Sequence, residues 1–278
     1  QRCRGDRLRD FGFLSSEEYT HGHHGSVVAS HVRRTATDSA AYLLPRLETK
    51  MRLLDVGCGP GSISLDLAGL VSEVVGIDGA IPAIERAKAE ASRRDVGNAE
   101  FRIADAYELP FDDGSFDVVH AHQVLQHLTD PVRALEEARR VVRSGGIVAA
   151  RDADYGTMVH DPHEPRLDRW LELYHRVARP DGGEPDAGRR LAGWFTSAGF
   201  EDLDVSTSTW TYGTPSEIEA WRDLWVSRLT EARLGERAIG LELADRAELE
   251  DLADGWRAWA SSHQPFFAFL HGEVIGRG

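Results

Sequence analysis

The stretch LLDVGCGPGS (53–62) limits the fold of this 278-residue chain more than any other. An apolar run ends in Asp55, then Gly57, Gly59 and Gly61, and SISLDLAGL continues with helical spacing. Glycines at that spacing let a strand turn sharply into a helix, and they let a ligand approach bare backbone N–H groups at the helix N-terminus. The same alternation recurs downstream. EVVGID (73–78), AEFRIAD (99–105), SFDVVHAH (115–122) and GIVAARDAD (146–154) read as strands, and PAIERAKAEASRR (82–94) reads as an amphipathic helix. Asp130 and Pro131 open another helix, whose Val132, Leu135, Ala138 and Val142 share one face and which Gly145 and Gly146 are expected to stop. Such alternation predicts an α/β fold, a parallel sheet wrapped by helices, with ligands bound beyond the carboxyl ends of the strands near the switch in strand order.

The rest of the chain is read as elaboration of one domain. Residues 1–48 form an N-terminal lid and helix, 49–155 the cofactor-binding core, and 156–185 an inserted helix carrying Trp170, Leu171, Tyr174 and Val177. Residues 186–214 supply a helix with Leu191 and Phe195 on one face, stopped by Gly199, and then the alternating strand DLDVSTSTWTYG. Residues 215–264 are a helical cap. There Ile218, Trp221, Leu224, Trp225 and Leu229 share one face, and Leu249, Leu252, Trp256 and Trp259 share another. Its large aromatics read first as core between cap helices and second as the wall of an apolar substrate pocket. FFAFLHGEVIGRG, within 265–278, closes the sheet.

The chemistry begins with Asp55. A fixed carboxylate before a G-x-G-x-G turn would repel the pyrophosphate of a dinucleotide but suits a ligand with an ammonium group. Asp78, at the end of the second strand, is placed to accept both hydroxyls of a ribose, and Asp105 to accept a hydrogen bond from an exocyclic amine such as that of adenine. An amino-acid end, a ribose and an adenine together are S-adenosylmethionine. Each of these residues also has a plain structural reading, as a cap or a strand-end turn.

LLDVGCGPG, VVGIDGA, ADAYELPFDDGSFDVVHAHQVLQHLTDP and ARRVVRSGG follow one another in order between residues 51 and 146. They resemble the class I S-adenosylmethionine-dependent methyltransferases, especially the branch holding the ubiquinone and menaquinone C-methyltransferases and many natural-product methyltransferases. The resemblance implies a Rossmann-like, mostly parallel seven-stranded sheet with an antiparallel last strand, flanked by helices, with an N-terminal lid and helical cap insertions. It implies that Gly57, Gly59 and Gly61 border the methionine part of the cofactor, that Asp78 with Gly79 holds the ribose, and that Asp105 with Ala106 holds the adenine. Ala121 and His122 would face the methionine end and the sulfonium. The lid would place Tyr19 over the sulfonium or carboxylate end and His23 or His24 toward the acceptor.

In HGHHGSVVASH, His21, His23, His24 and His31 raise the question of a metal. No cysteine accompanies them and His-x-His-His is not a structural-zinc spacing, so the lid reading is preferred and no metal is expected. Methyl transfer draws most of its rate from alignment and needs a base only if the acceptor must lose a proton. His127 is the first candidate base because imidazole titrates near neutrality, with His122 and His24 behind it. Asp152 and Asp154, at the end of strand five, form the other wall. A formal charge of −14 argues against a surface built for nucleic acid. Two cysteines exclude a disulfide framework, and no apolar run is long enough for a signal or a membrane span, which points to the cytoplasm. The expected partner is a small, partly apolar molecule of specialised metabolism, methylated on O, N or C by a monomer or homodimer. The alternatives are an S-adenosylmethionine-binding enzyme of another class, for cyclisation or decarboxylation, and a non-catalytic nucleotide-binding module.

Overall fold

The computed structural model describes residues 34–278. Its core runs β1 (Arg52–Val56), α2 (Ser62–Ala68), β2 (Glu73–Asp78), α3 (Ile81–Arg93), β3 (Ala99–Ile103), β4 (Phe116–His122), α4 (Pro131–Val141) and β5 (Val142–Ala153), preceded by the single turn α1 (Ala36–Ser39). Beyond it come β6 (Val159–Asp161), α5 (Pro165–Ala178), α6 (Leu191–Ser197), β7 (Leu203–Tyr212), α7 (Pro215–Thr230), α8 (Arg233–Gly240), α9 (Arg246–Ala260) and β8 (Phe266–Arg277). The sheet order is β3-β2-β1-β4-β5-β8, with β7 on the other edge of β8. The pairs from β3 to β5 are parallel, and β8 is antiparallel to both β5 and β7. The Rossmann-like sheet with an antiparallel last strand is therefore present. An eighth strand, β6, pairs its three residues with Phe266–Ala268 and prolongs the edge of β8 that β5 occupies. Three residues, VHD, are too few to show a period of two.

Strand order reverses between β1 and β4, which opens the crevice at their carboxyl ends. Leu54, Val56, Val119, Ala121 and Val148 bury one sheet face against α4 and α6. Leu53, Val74, Val118, Ala149 and Ile275 bury the other against α1 and α2. The helix opened by Asp130 does form, and the Asp130 carboxylate caps it by accepting the Arg133 N–H. It ends at Val141, however, not at Gly145–Gly146. Val142 already starts β5, and the glycines sit inside that strand, where the register against β4 shifts between Phe116 and Val118. Gly145 adopts φ 73° there and donates its N–H to the Gly278 carbonyl, so the glycines serve an irregular strand. Gly199, at φ 85°, does close α6.

The cap has its own core. Trp170, Trp225, Trp256 and Trp259 are fully buried, with Trp170 edge-on to Trp225 at 4.3 Å and Trp221 stacked on Tyr212 at 4.2 Å. These aromatics are packing, as the first of the two readings had it. Among the described residues no helix is long and apolar enough to cross a membrane.

Candidate functional site

The turn after β1 is held from two sides. Gly57 has φ 67°, and a Cβ there would lie 2.3 Å from Val124 Cγ2. Gly61 has φ 81°, and a Cβ there would stand 3.0 Å from Ala87 and Phe101. Both backbone angle and space demand glycine at these positions. Asp78, half-buried at the end of β2, accepts the Gly59 N–H at 3.0 Å and the Ala80 N–H at 2.9 Å, so it fastens the turn to the neighbouring strand. Gly79 beside it is open, with nothing within 4 Å of where a Cβ would be. Just past β3, the half-buried Asp105 carboxylate accepts the Tyr107 N–H at 2.9 Å, and Ala106 follows it. Ala121 pairs with Val56, and His122 ends β4. The expected cofactor residues of the described chain therefore gather along one edge of the sheet, at the carboxyl ends of four adjacent strands. Tyr19 and His24, with His21, His23 and His31, lie outside the described residues.

Asp55 meets a different arrangement from the one expected. It is buried, and its oxygens accept the Ser64 hydroxyl at 2.5 Å and face His120 Nδ1 at 2.8 Å. Its observed partners are thus internal, and it supports the turn from beneath.

The far side of the crevice carries the candidate acid–base groups. His122 is buried, and neither ring nitrogen has a hydrogen-bond partner among the described residues. Burial first, then the charges of Arg34 and Arg151, hold its pKa well below the usual value. His127 does not titrate near neutrality as the sequence suggested. Burial, then Arg228 and Arg34, lower its pKa to about 3, and its Nε2 lies 3.0 Å from the Gln126 side-chain amide. The ring is neutral and weakly basic. Asp152 is fully buried under the turn after β4, where it accepts the Gln126 N–H at 3.2 Å, and burial pushes its pKa up to about 8. Asp154 is committed elsewhere, gripped by the Arg189 guanidinium at 2.5 and 2.6 Å.

A family described as "Methyltransferase domain" matches residues 47–199. The uncharacterized methyltransferase C1B3.06c of Schizosaccharomyces pombe is 32% identical over 271 residues, covering 92% of this chain and 95% of that one. The 27-O-demethylrifamycin SV methyltransferase of Amycolatopsis mediterranei is 39% identical over 137 residues, covering 47% of this chain and 50% of its own. Among solved structures, the phosphoethanolamine N-methyltransferase 2 of Haemonchus contortus, in complex with S-adenosylhomocysteine, superposes with a TM-score of 0.53 at 17% identity, covering 85% of this chain and 51% of that one. The chain belongs to the class I S-adenosylmethionine-dependent methyltransferases.

S-adenosylmethionine is the cofactor of this methyltransferase. The sheet edge suits it. Glycine backbone without side chains turns at the end of β1, and a half-buried carboxylate with an open glycine ends β2. The sequence reading passed over several residues that the methyltransferase brings to the crevice. Gln123, at φ 54°, places its amide 2.8 Å from His271 Nε2. Arg151 and Glu273 are fully or nearly fully buried on neighbouring strands, 3.3 Å apart. A charge following the apolar run GIVAA and another inside FFAFLHGEVIG were the signals that marked them. The one group of metal-ligating side chains close together among the described residues is His160, His163 and Asp168, at β6 and the start of α5.

Proposed function

We propose that this methyltransferase methylates a small, partly apolar acceptor bound between the carboxyl ends of β4 and β5 and the helical cap. The observation that carries the reading is the position of Trp210. Its ring stands 4.5 Å from His271, 5.9 Å from His122 and 6.0 Å from Phe269, between the polar strand ends and the aromatic cap. An acceptor there meets an apolar wall on one side and polar groups on the other. The relative whose name gives a rifamycin substrate supports a small-molecule acceptor and a role in specialised metabolism.

In this reading Gly57, Gly59 and Gly61 border the methionine part of the cofactor, Asp78 and Gly79 take the ribose, and Asp105 and Ala106 take the adenine. Ala121 and His122 lie beside the methionine end and the sulfonium. S-adenosylmethionine supplies an electrophilic methyl group, which a lone pair on the acceptor takes in line while sulfur keeps the bonding electrons. The protein contributes alignment and exclusion of water. His127 is too weak a base to deprotonate an ordinary alcohol at neutral pH. His122 is likewise held neutral. The acceptor atom therefore brings its own available lone pair, and the imidazoles orient it; His24 is a further candidate for that task.

The test is calorimetry with S-adenosylhomocysteine on metal-stripped wild type and on Asp78→Ala. Micromolar binding to the wild type and at least about ten-fold weaker binding to the variant are expected, as for loss of hydrogen bonds to a charged group. Absence of wild-type binding sinks the assignment. Incubation with S-adenosylmethionine and sets of small phenols, carboxylic acids and amines, read as a methyl gain in mass, then tests the acceptor class.

A further inference from the structure

Two buried arginines, Arg151 and Arg228, keep guanidinium nitrogens without a partner among the described residues. Arg151 is fully buried. Its Nε donates to Ser208 Oγ at 3.0 Å and faces Glu273 at 3.3 Å, but both terminal nitrogens lack partners among the described residues. Glu273 is shared, because it also accepts the hydroxyls of Ser206 at 2.8 Å and Ser208 at 2.5 Å. Arg34 and Arg151 both approach Trp210, with their guanidinium carbons 5.2 and 5.1 Å from its ring centre. Arg228, on α7, is 4% exposed and lies 4.6 Å over Trp225. Its Nε has no partner, and no carboxylate pairs with it among the described residues.

Arg34 and Arg151 meet at Trp210, and the field of Arg228 on α7 overlaps theirs. The Tyr212 hydroxyl, pushed up chiefly by burial, feels all three of their fields. Arg228 and Arg34 act together on His127, and Arg34 and Arg151 together on His122 and His271. Asp152, with its pKa near 8, carries its proton for most of the time at neutral pH and does little to offset them. A guanidinium out of water without a carboxylate is costly, and a chain with a net charge of −14 has acids to spare for pairing with it. Unsatisfied donors gathered in one place are a site prepared for an acceptor that comes from outside.

We propose that the acceptor of this methyltransferase carries an anionic oxygen, a carboxylate or an ionised enol or phenol, which binds among Arg151, Arg228 and Arg34 beside His122 and Trp210. The inference rests on the proposed small-molecule activity and names its substrate class. An anionic oxygen already has its lone pair available, which explains why the crevice needs no group of ordinary basicity.

The experiment titrates benzoate and benzamide, alike in shape and different in charge, into protein saturated with S-adenosylhomocysteine. Benzoate is expected to bind at least about ten-fold more tightly, as for a charge-assisted pair. Arg228→Met should abolish that preference and Arg228→Lys should retain part of it, with affinity for S-adenosylhomocysteine within about two-fold of wild type in both. Equal affinity for the two probes, or no binding of benzoate, overturns the proposal. Displacement of S-adenosylhomocysteine by benzoate also overturns it, because the arginines would then serve the cofactor's own carboxylate. If Arg228→Met fails to fold, the wild-type comparison decides alone. Failure of the wild type to bind S-adenosylhomocysteine is a separate result, which removes the activity on which the proposal rests.

Discussion

Asp55 and His120 lie side by side in register on β1 and β4, with His120 Nδ1 2.8 Å from the Asp55 carboxylate and both side chains buried. Ser64, on α2, donates to the other oxygen of the same carboxylate. One side chain thus ties together the two strands that border the switch point and the helix that leaves the glycine turn. Asp55→Ala strands two buried donors, and about 2–6 kcal/mol of stability should be lost, because each unsatisfied buried group costs about 1–3 kcal/mol. Urea unfolding measures it, and a loss below about 1 kcal/mol would show that the pair is incidental.

The glycine turn makes a second test. Gly57→Ala meets two penalties: a left-handed backbone angle, worth about 1–2 kcal/mol for any residue with a Cβ, and contact with Val124 Cγ2. Val124→Ala removes the second and leaves the first. The double variant should therefore be more stable than Gly57→Ala alone, despite a second truncation, and both should bind S-adenosylhomocysteine more weakly than wild type. Strictly additive losses in a double-mutant cycle would mean that the two residues do not meet.

The contrast between those contacts and the sequence shows where reading a chain succeeds. The alternation of strands and helices was visible because burial on a sheet or a helix face imposes a period, and the G-x-G-x-G turn because backbone angles impose glycine. The end of α4 was misplaced because Gly145 and Gly146 look like a helix stop whether they cap a helix or bend a strand. The internal partners of Asp55 were not legible because Ser64 and His120, nine and sixty-five residues away, give no local sign of their partnership. The same distance hid the arginines. Arg34, Arg151 and Arg228 come from the N-terminal side, the core and the cap, and only the fold makes their fields overlap.

Two groups, the buried Asp152 and the half-buried His127, give opposite pH dependences. Asp152 has a folded pKa of about 8 against an ordinary value of 3.8, so the folded state holds its proton more tightly. Its contribution is fully present at low pH and is lost as pH rises from about 4 to about 8, with a slope no steeper than about 1.4 kcal/mol per pH unit. His127, at about 3 against 6.5, does the reverse: the unfolded chain takes up a proton that the folded imidazole refuses, so stability falls as pH drops from 6.5 toward 3. Urea unfolding between pH 5 and pH 9 should show Asp152→Asn losing less stability than wild type as pH rises. His127→Asn should lose less as pH falls below 6. Parallel curves for wild type and both variants would show that neither group titrates as placed.

Trp256 tests how far the cap is separate from the cofactor edge. It is fully buried and meets Trp170 at 4.8 Å, Phe267 at 5.5 Å and Trp259 at 5.6 Å, so truncation to alanine should cost about 3–5 kcal/mol. The cap core reaches the sheet through Ala153 at the end of β5, Tyr155 just beyond it, and Phe267 and Phe269 at the start of β8. The glycine turn is packed by other residues, among them Leu65, Ala87 and Phe101. The later part of β8, from His271 onward, pairs with β5 and belongs to the core sheet. Loss of Trp256 should therefore loosen the first half of β8 and the cap helices while the edge that takes the cofactor stays in place. In Trp256→Ala, tryptophan fluorescence should report a lowered unfolding midpoint, and affinity for S-adenosylhomocysteine, measured well below that midpoint, should change by less than about three-fold, under 0.7 kcal/mol. Affinity for benzoate should fall further, because Arg228 and its stacking partner Trp225 are carried by the same cap core. Equal loss of both affinities would show instead that cap and cofactor edge form one cooperative unit, with β8 as the element that joins them.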